Sequence, residues 1–132
     1  MPDLNIEIVT PNGVKLSGEI RSCFAPGTEG QFQILSGHAP LLSILEIGEI
    51  KIQKDDGIQL LATSGGFLEV KANLISIVVE SAEFAADIDI ERARAAEERA
   101  KNRLKTNEEI DVERAKFALL RALNRIKISS HI

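Results

Sequence analysis

Two periodicities of apolar and polar residues divide this sequence. Up to residue 86, apolar and polar residues alternate over short runs, and Gly, Pro, Asn and Asp separate the runs. This pattern predicts β-strands over residues 4–9, 18–24, 31–34, 45–54, 58–63, 67–71 and 74–80. Asp55-Asp56-Gly57 and Ala72-Asn73 have the composition of tight turns and predict two β-hairpins. Many short strands at this spacing indicate a β-sandwich or flattened barrel.

From residue 87 onwards the apolar residues follow helical spacing. Residues 89–105 are rich in good helix formers, with Asp87 or Asp89 available as the N-cap, and residues 106–109 form a capping box for a second helix. The connection is short, so the two helices should pack antiparallel. The facing residues are largely alanines, which bury little area, so we expect a marginal hairpin that can come apart. The predicted fold class is α+β: an antiparallel β-sandwich over residues 1–86 and a two-helix hairpin over residues 87–132.

Charge and composition narrow the functional classes. The 132 residues carry a net charge of -4, which argues against a nucleic-acid binder. The charge is uneven: the first 86 residues sum to -6 and the remainder to +2. Cys23 is the single cysteine, so no internal disulfide is expected. No signal peptide and no apolar run of about 18 residues is present, so any membrane association is expected to come through a partner.

Catalytic motifs are absent from the sequence, which weakens an enzymatic interpretation. No nucleophile elbow, phosphate-binding glycine loop or zinc-ligand spacing occurs, and His38 lies in a predicted turn. The helices carry a sharper pattern, because arginines recur at intervals of 7 and 4 residues in each, at 92, 99 and 103 and at 114, 121 and 125. Such stripes could hold a polyphosphate between them. The alternative is a solvated surface with neighbouring glutamates as partners.

Several motifs together resemble one family. They are Pro26-Gly27-Thr28-Glu29-Gly30, the run from Ile34 to Leu42, Gly65-Gly66-Phe67-Leu68-Glu69-Val70, Ala82-Glu83, Ile88-Asp89-x-x-Arg92-Ala93 and Arg121-Ala122-Leu123-Asn124-Arg125. In this order, over essentially the whole chain, they resemble the epsilon subunit of bacterial F-type ATP synthase, the counterpart of the mitochondrial delta subunit. The resemblance implies a sandwich of about ten strands followed by a two-helix hairpin.

The resemblance also implies a place in the central rotor. The sandwich would dock on the gamma subunit and on the ring of membrane-embedded c subunits, at the cytoplasmic face of the bacterial inner membrane and as a peripheral, non-catalytic subunit. The expected gamma and c-ring contacts are Glu29, Gly30, Gln31, Phe32, His38, Ala39, Pro40 and Leu42. The family usually has a glycine where this chain has Gln33, and often an acid where it has Gln31.

In this family the hairpin is a switch, and the resemblance extends this expectation to the chain. When the hairpin is extended it reaches the alpha/beta catalytic head and inhibits ATP hydrolysis. No cofactor is required, but some members bind one ATP as a regulatory ligand. The matching positions here are Glu83, Ile88, Asp89, Arg92, Ala93, Arg99, Arg121 and Arg125. Two other classes stay open: a free-standing enzyme on a small sandwich, and an adaptor whose hairpin joins a partner coiled coil.

Overall fold

A computed structural model describes residues 3–105 and 112–129 of the chain. It separates into two compact units, residues 1–84 and 85–132. The first unit holds ten strands: β1 (Leu4–Thr10), β2 (Gly13–Ile20), β3 (Ser22–Gly27), β4 (Gly30–Leu35), β5 (Leu41–Leu45), β6 (Gly48–Lys54), β7 (Gly57–Thr63), β8 (Gly66–Lys71), β9 (Leu74–Val79) and β10 (Ala82–Phe84). The second holds a short 3-10 helix (Ala85–Asp87), α1 (Ile90–Lys105) and α2 (Val112–Ser129). The predicted fold class is thereby confirmed.

The ten strands form two layers that share one hydrogen-bonded path, in the order β10-β7-β6-β3-β5-β8-β9-β1-β2, with β4 added to β3. Strand β3 joins the first layer (β10, β7 and β6) to the second (β5, β8, β9, β1 and β2). Its residues 22–24 pair with β6, while Gly27 pairs with Leu45 of β5. The two ends of the path meet where the Lys15 ammonium lies 5.2 Å from the Phe84 ring centre, a cation–π contact between β2 and β10. The inner faces enclose an aliphatic core that includes Ile6, Ile34 and Leu68.

Three strand predictions differ from the structure. Residues 18–24 do not form one strand, because the chain turns at Arg21 between β2 and β3. The predicted strand 45–54 begins only at Gly48, and residues 41–45 form the separate strand β5. The sandwich is also not wholly antiparallel, since β1 and β9 run parallel. Such a pairing joins strands that are far apart in sequence, so no local sequence pattern predicts it.

The hairpin helices have the composition and the contacts that their sequences predict. The Asp89 carboxylate accepts a hydrogen bond from the Arg92 backbone N–H at 3.2 Å, so Asp89, and not Asp87, is the N-cap of α1. The two helices pack against each other, and their buried residues are Ala93 and Ala100 on α1 and Ala115, Ala122 and Ile128 on α2. The predicted alanine seam is therefore present. The predicted capping box at residues 106–109 lies outside the described residues.

Candidate functional sites

The outer face of the second layer carries a row of apolar side chains across five strands. Pairing brings Ile44 of β5 beside Phe67 of β8, Phe67 beside Val78 of β9, Val78 beside Val9 of β1, and Val9 beside Val14 of β2. Their sequence neighbours Leu45, Leu68 and Val79 point the other way, into the core. We call these five residues the apolar row.

The apolar row is open to solvent. The exposed fractions are 57% for Ile44, 57% for Phe67, 55% for Val78 and 61% for Val14, and Val9 is partly buried. At the usual strand spacing the row is about 19 Å wide. Leu42 lies two residues from Ile44 on the same face of β5 and is 72% exposed. Contiguous exposed apolar surface of this kind is typical of an interaction site.

The sequence prediction found only Leu42 of this surface. A strand with one solvated face should alternate apolar and polar residues. Leu41-Leu42 and Ile77-Val78-Val79 are instead apolar at consecutive positions, which indicates apolar side chains on both faces. What cannot be read from one sequence is the register that aligns Ile44, Phe67 and Val78 side by side.

The structure separates the predicted gamma and c-ring contacts into two groups. The turn at Thr28-Glu29 precedes β4 and the loop of residues 36–40 follows it, so the two lie at opposite ends of this six-residue strand. An extended strand of that length spans about 20 Å. Glu29, Gly30 and Gln31 therefore belong to one end of the sandwich, and His38, Ala39 and Pro40 to the other.

Gln31 and Phe32 lie in β4, as the predicted strand over residues 31–34 expected. Phe32 is partly buried and packs against the core. A Cβ on Gly27 would lie 2.8 Å from the Phe32 ring, so the glycine at position 27 leaves room for that ring. The structure thus gives Phe32 a packing role, whereas Gly30 and Gln31 are exposed.

The two arginine stripes lie on the same flank of the hairpin. Four of the six arginines immediately precede a buried alanine: Arg92 before Ala93, Arg99 before Ala100, Arg114 before Ala115 and Arg121 before Ala122. Arg103 and Arg125 each follow one of these arginines by four residues, about one turn. One residue corresponds to a rotation of about 100° around the helix axis. Because antiparallel helices wind in opposite senses when viewed along one axis, the residue before the seam points to the same side on both helices.

The predicted ATP-binding arginines lie close together along each helix. Arg92 and Arg99 are seven residues apart on α1, or about 10 Å along its axis. Arg121 and Arg125 are four residues apart on α2, or about 6 Å along its axis. Arg92, Arg99 and Arg121 are exposed and Arg125 is partly buried. We call Arg92, Arg99, Arg121 and Arg125 the arginine flank.

The remaining predicted ATP-binding residues are Asp89, Ala93 and Ile88 of the second unit and Glu83 of the first. Asp89 caps α1, and its carbonyl oxygen accepts the Ala93 N–H at 3.0 Å. Ala93 is fully buried in the seam and Ile88 is 8% exposed, so their side chains serve packing. Glu83 lies in β10 of the first unit, paired with Ala62. The four arginines thus lie on the two helices of the hairpin, and Asp89 caps the start of α1.

Other reactive groups offer little chemistry. Burial raises the pKa of the Cys23 thiol to about 12, so at neutral pH it is a protonated, unreactive core side chain. Within residues 3–105 and 112–129, no group of three or more His, Cys, Asp or Glu side chains is placed to hold a metal ion. Across the same residues, none of the helices combines the length and the apolar character needed to span a bilayer.

Two protein families match consecutive parts of the chain. The family described as ATP synthase, Delta/Epsilon chain, beta-sandwich domain matches residues 3–85. The family described as ATP synthase, Delta/Epsilon chain, long alpha-helix domain matches residues 86–130.

Relatives and solved structures agree with the family matches. The ATP synthase epsilon chain of Halalkalibacterium halodurans is 41% identical over 105 residues, covering 80% of this chain and 79% of that one. The epsilon chain of Anoxybacillus flavithermus is 40% identical over 108 residues, with 82% and 81% covered. A chain in the Euglena gracilis mitochondrial ATP synthase structure (OSCP/F1/c-ring) has the same fold at a TM-score of 0.82 and 21% identity, with 91% of this chain and 78% of that chain covered. The resemblance stated from the sequence motifs is confirmed: the chain belongs to the delta/epsilon chain family of ATP synthases.

Proposed function

We propose that this protein is a non-catalytic subunit of the central stalk of a proton-translocating F-type ATP synthase. It is held at the cytoplasmic face of the membrane by its partners, and it couples rotation of the c-ring and gamma to ATP synthesis. Membership of the family and the epsilon-chain name of its relatives support this proposal. So does a fold shared, at a TM-score of 0.59 and 17% identity, with a chain in the Tetrahymena thermophila mitochondrial ATP synthase structure titled central stalk/cring.

The apolar row is the observation that carries the docking role. Its width suits a long apolar partner surface, and Leu42 extends it toward the loop of residues 36–40. We assign this continuous surface to the gamma subunit. The opposite end presents the polar residues Glu29 and Gln31, which suit the polar loops of a membrane ring, and we assign it to the c-ring.

A pair of equally exposed residues tests the docking assignment. Phe67 is 57% exposed within the apolar row, whereas Ile58 is 55% exposed on β7 of the other layer. Titration onto gamma and c-ring complexes depleted of this subunit should show at least about ten-fold weaker binding for Phe67→Ser, since buried aromatic anchors dominate interface energies. Ile58→Ser should change binding less than about two-fold. Equal losses in the two variants would contradict the assignment.

The arginine flank supports ATP as a regulatory ligand of the hairpin. Guanidinium groups bind phosphate oxygens in a bidentate manner, so several arginines on one flank could hold a polyphosphate. A ligand that binds one state better shifts the balance by at most that preference. At ten times its dissociation constant, ATP would stabilise the folded hairpin by about 1.4 kcal/mol.

Calorimetry tests the ATP proposal with a matched control. Arg92 lies on the arginine flank, whereas Arg94, two residues on, is also exposed but lies on the opposite flank. The isolated protein should bind ATP without hydrolysing it, Arg92→Ala should weaken binding by ten-fold or more, and Arg94→Ala should leave it nearly unchanged. Absence of heat from the unmodified protein at millimolar ATP would refute the proposal.

The hairpin is proposed to regulate hydrolysis by leaving its folded form and reaching the alpha/beta head. The buried alanines contribute little apolar area, so opening the hairpin costs little free energy. ATP hydrolysis by the complex, measured with the full chain and with a chain lacking residues 87–132, tests this role. We expect faster hydrolysis without the hairpin. An unchanged rate would remove the inhibitory role and leave the docking role intact.

A further inference from the structure

Asn73 stands at a junction between three segments of the sandwich. It is the second residue of the β8–β9 turn, and both Ala72 (φ 50°) and Asn73 (φ 60°) adopt left-handed backbone angles. Among residues with a Cβ, asparagine tolerates this conformation well. The Asn73 carbonyl oxygen also accepts the Asn5 N–H at 2.9 Å, which fixes the turn against the start of β1.

The side chain of Asn73 reaches the loop of residues 36–40. Its Oδ1 accepts the Gly37 backbone N–H at 2.8 Å, a bond between residues 36 positions apart in the sequence. Two other bonds of this loop are local: the His38 N–H donates to the Leu35 carbonyl oxygen at 3.2 Å, and the His38 Nδ1 lies 2.6 Å from the Ala39 carbonyl oxygen. The Asn73 amide therefore ties the loop to the body of the sandwich.

The loop that Asn73 holds carries residues assigned above to partner contact. Ala39 and Pro40 are exposed, His38 is partly buried, and Leu42 follows at the start of β5. We propose that Asn73 is a positioning residue, which orders the loop of residues 36–40 in the conformation that meets the gamma subunit. This inference rests on the proposed docking function. Binding then does not have to order the loop, which lowers its entropic cost.

The two roles of Asn73 can be separated by substitution. Glycine accepts the left-handed turn angle but offers no acceptor to Gly37, whereas aspartate accepts the angle and keeps an oxygen at the same position. Asn73→Gly should therefore keep the turn and free the loop. Asn73→Asp should keep both the turn and the hydrogen bond to Gly37, so it serves as the rescue variant.

The test measures the free protein first. Hydrogen exchange should show the Gly37 amide losing protection in Asn73→Gly and keeping it in Asn73→Asp, while the Asn5 amide stays protected in both. Retained protection of Gly37 in Asn73→Gly would overturn the proposal, because the tie would then not depend on the side chain.

Titration onto gamma and c-ring complexes depleted of this subunit completes the test. A single hydrogen bond that orders the loop predicts about three- to ten-fold weaker binding for Asn73→Gly and binding within about two-fold for Asn73→Asp. Unchanged binding of Asn73→Gly, or equal losses in both variants, would overturn the positioning role while the unmodified protein still binds. Failure of the unmodified protein to bind would instead overturn the proposed function, and the positioning role with it.

Discussion

The sandwich and the hairpin are held together by different kinds of core. The sandwich encloses fully buried branched side chains such as Ile6, Ile52, Leu61 and Ile77. Apart from Ile128, the buried residues of α1 and α2 are alanines, and Leu104 and Leu119 are only partly buried. At about 25 cal/mol per Å2 of apolar area, each buried Leu or Ile contributes several times more than a buried Ala. Apolar burial therefore stabilises the core of the sandwich more strongly than the seam of the hairpin.

Surface chemistry follows the same division. The sandwich exposes apolar side chains in a row fixed by strand register, which suits a permanent partner. The hairpin exposes arginines along one flank, which suits an exchangeable anion. Under the proposed function, docking belongs to the apolar surface of the sandwich and regulation to the charged flank of the hairpin.

The largest expected effect comes from removing a core side chain of the sandwich. Leu68→Ala should lower the free energy of unfolding of the first unit by about 2–5 kcal/mol, because Leu68 is fully buried and a cavity remains. Phe67→Ala, at the neighbouring exposed position, should cost much less and should act on partner binding. Denaturant titration of both variants checks this. Equal losses of stability in Leu68→Ala and Phe67→Ala would contradict the assignment of Leu68 to the core and of Phe67 to the outer face.

A smaller effect is expected at the start of the hairpin. Asp89→Ala removes the N-cap of α1 and should destabilise the hairpin by about 1 kcal/mol, whereas Asp89→Asn keeps a capping oxygen and should lose less. Hydrogen exchange of α1 amides measures the loss, and β8 amides serve as the reference. If β8 loses protection as much as α1, the two units do not unfold independently.

The smallest effect concerns acidic side chains at one end of the sandwich. The pKa of Glu19 is raised mainly by the negative charge of Asp3 and by a hydrogen bond to it, with a smaller contribution from Asp55 and an opposing one from Arg21. A carboxyl whose pKa is raised on folding favours the folded state at low pH, and this contribution is lost as pH rises through the folded pKa.

Glu19→Gln should therefore raise stability slightly at pH 7 and lose that advantage below about pH 4. Thermal unfolding at the two pH values measures the difference. Asp56→Asn, which removes an exposed negative charge from the neighbouring turn, is the control for charge removal. A Glu19→Gln advantage that is larger at low pH would contradict the sign of the pKa shift.

Local chemistry made much of the fold predictable. The turns at Asp55-Asp56-Gly57 and Ala72-Asn73, the alanine seam and the start of α1 were all readable, because each depends on residues close in sequence. The sequence shows the Gly65-Gly66 pair as a motif, but it does not show why both positions require glycine. A Cβ on Gly66 would lie 2.1 Å from the Val78 carbonyl oxygen, and one on Gly65 would lie 2.9 Å from the Leu45 carbonyl oxygen.

The candidate sites were predictable only where helical spacing decides geometry. The arginine flank followed from intervals of 7 and 4 residues, since a helix converts spacing into direction. The apolar row did not follow, because it depends on the register of strands such as β5 and β8, which are set by pairing across the sheet. The separation of Glu29 from His38 likewise depended on residues 30–35 forming a strand.

The central claim is that the hairpin opens while the sandwich stays folded. Native-state hydrogen exchange of the intact chain tests it most directly, with and without ATP. We expect amides of α1 and α2 to exchange through an opening of much lower free energy than amides of β6, β8 and β9, and saturating ATP to slow only the helices. One common free energy of opening for helices and strands, unaffected by ATP, would contradict the account.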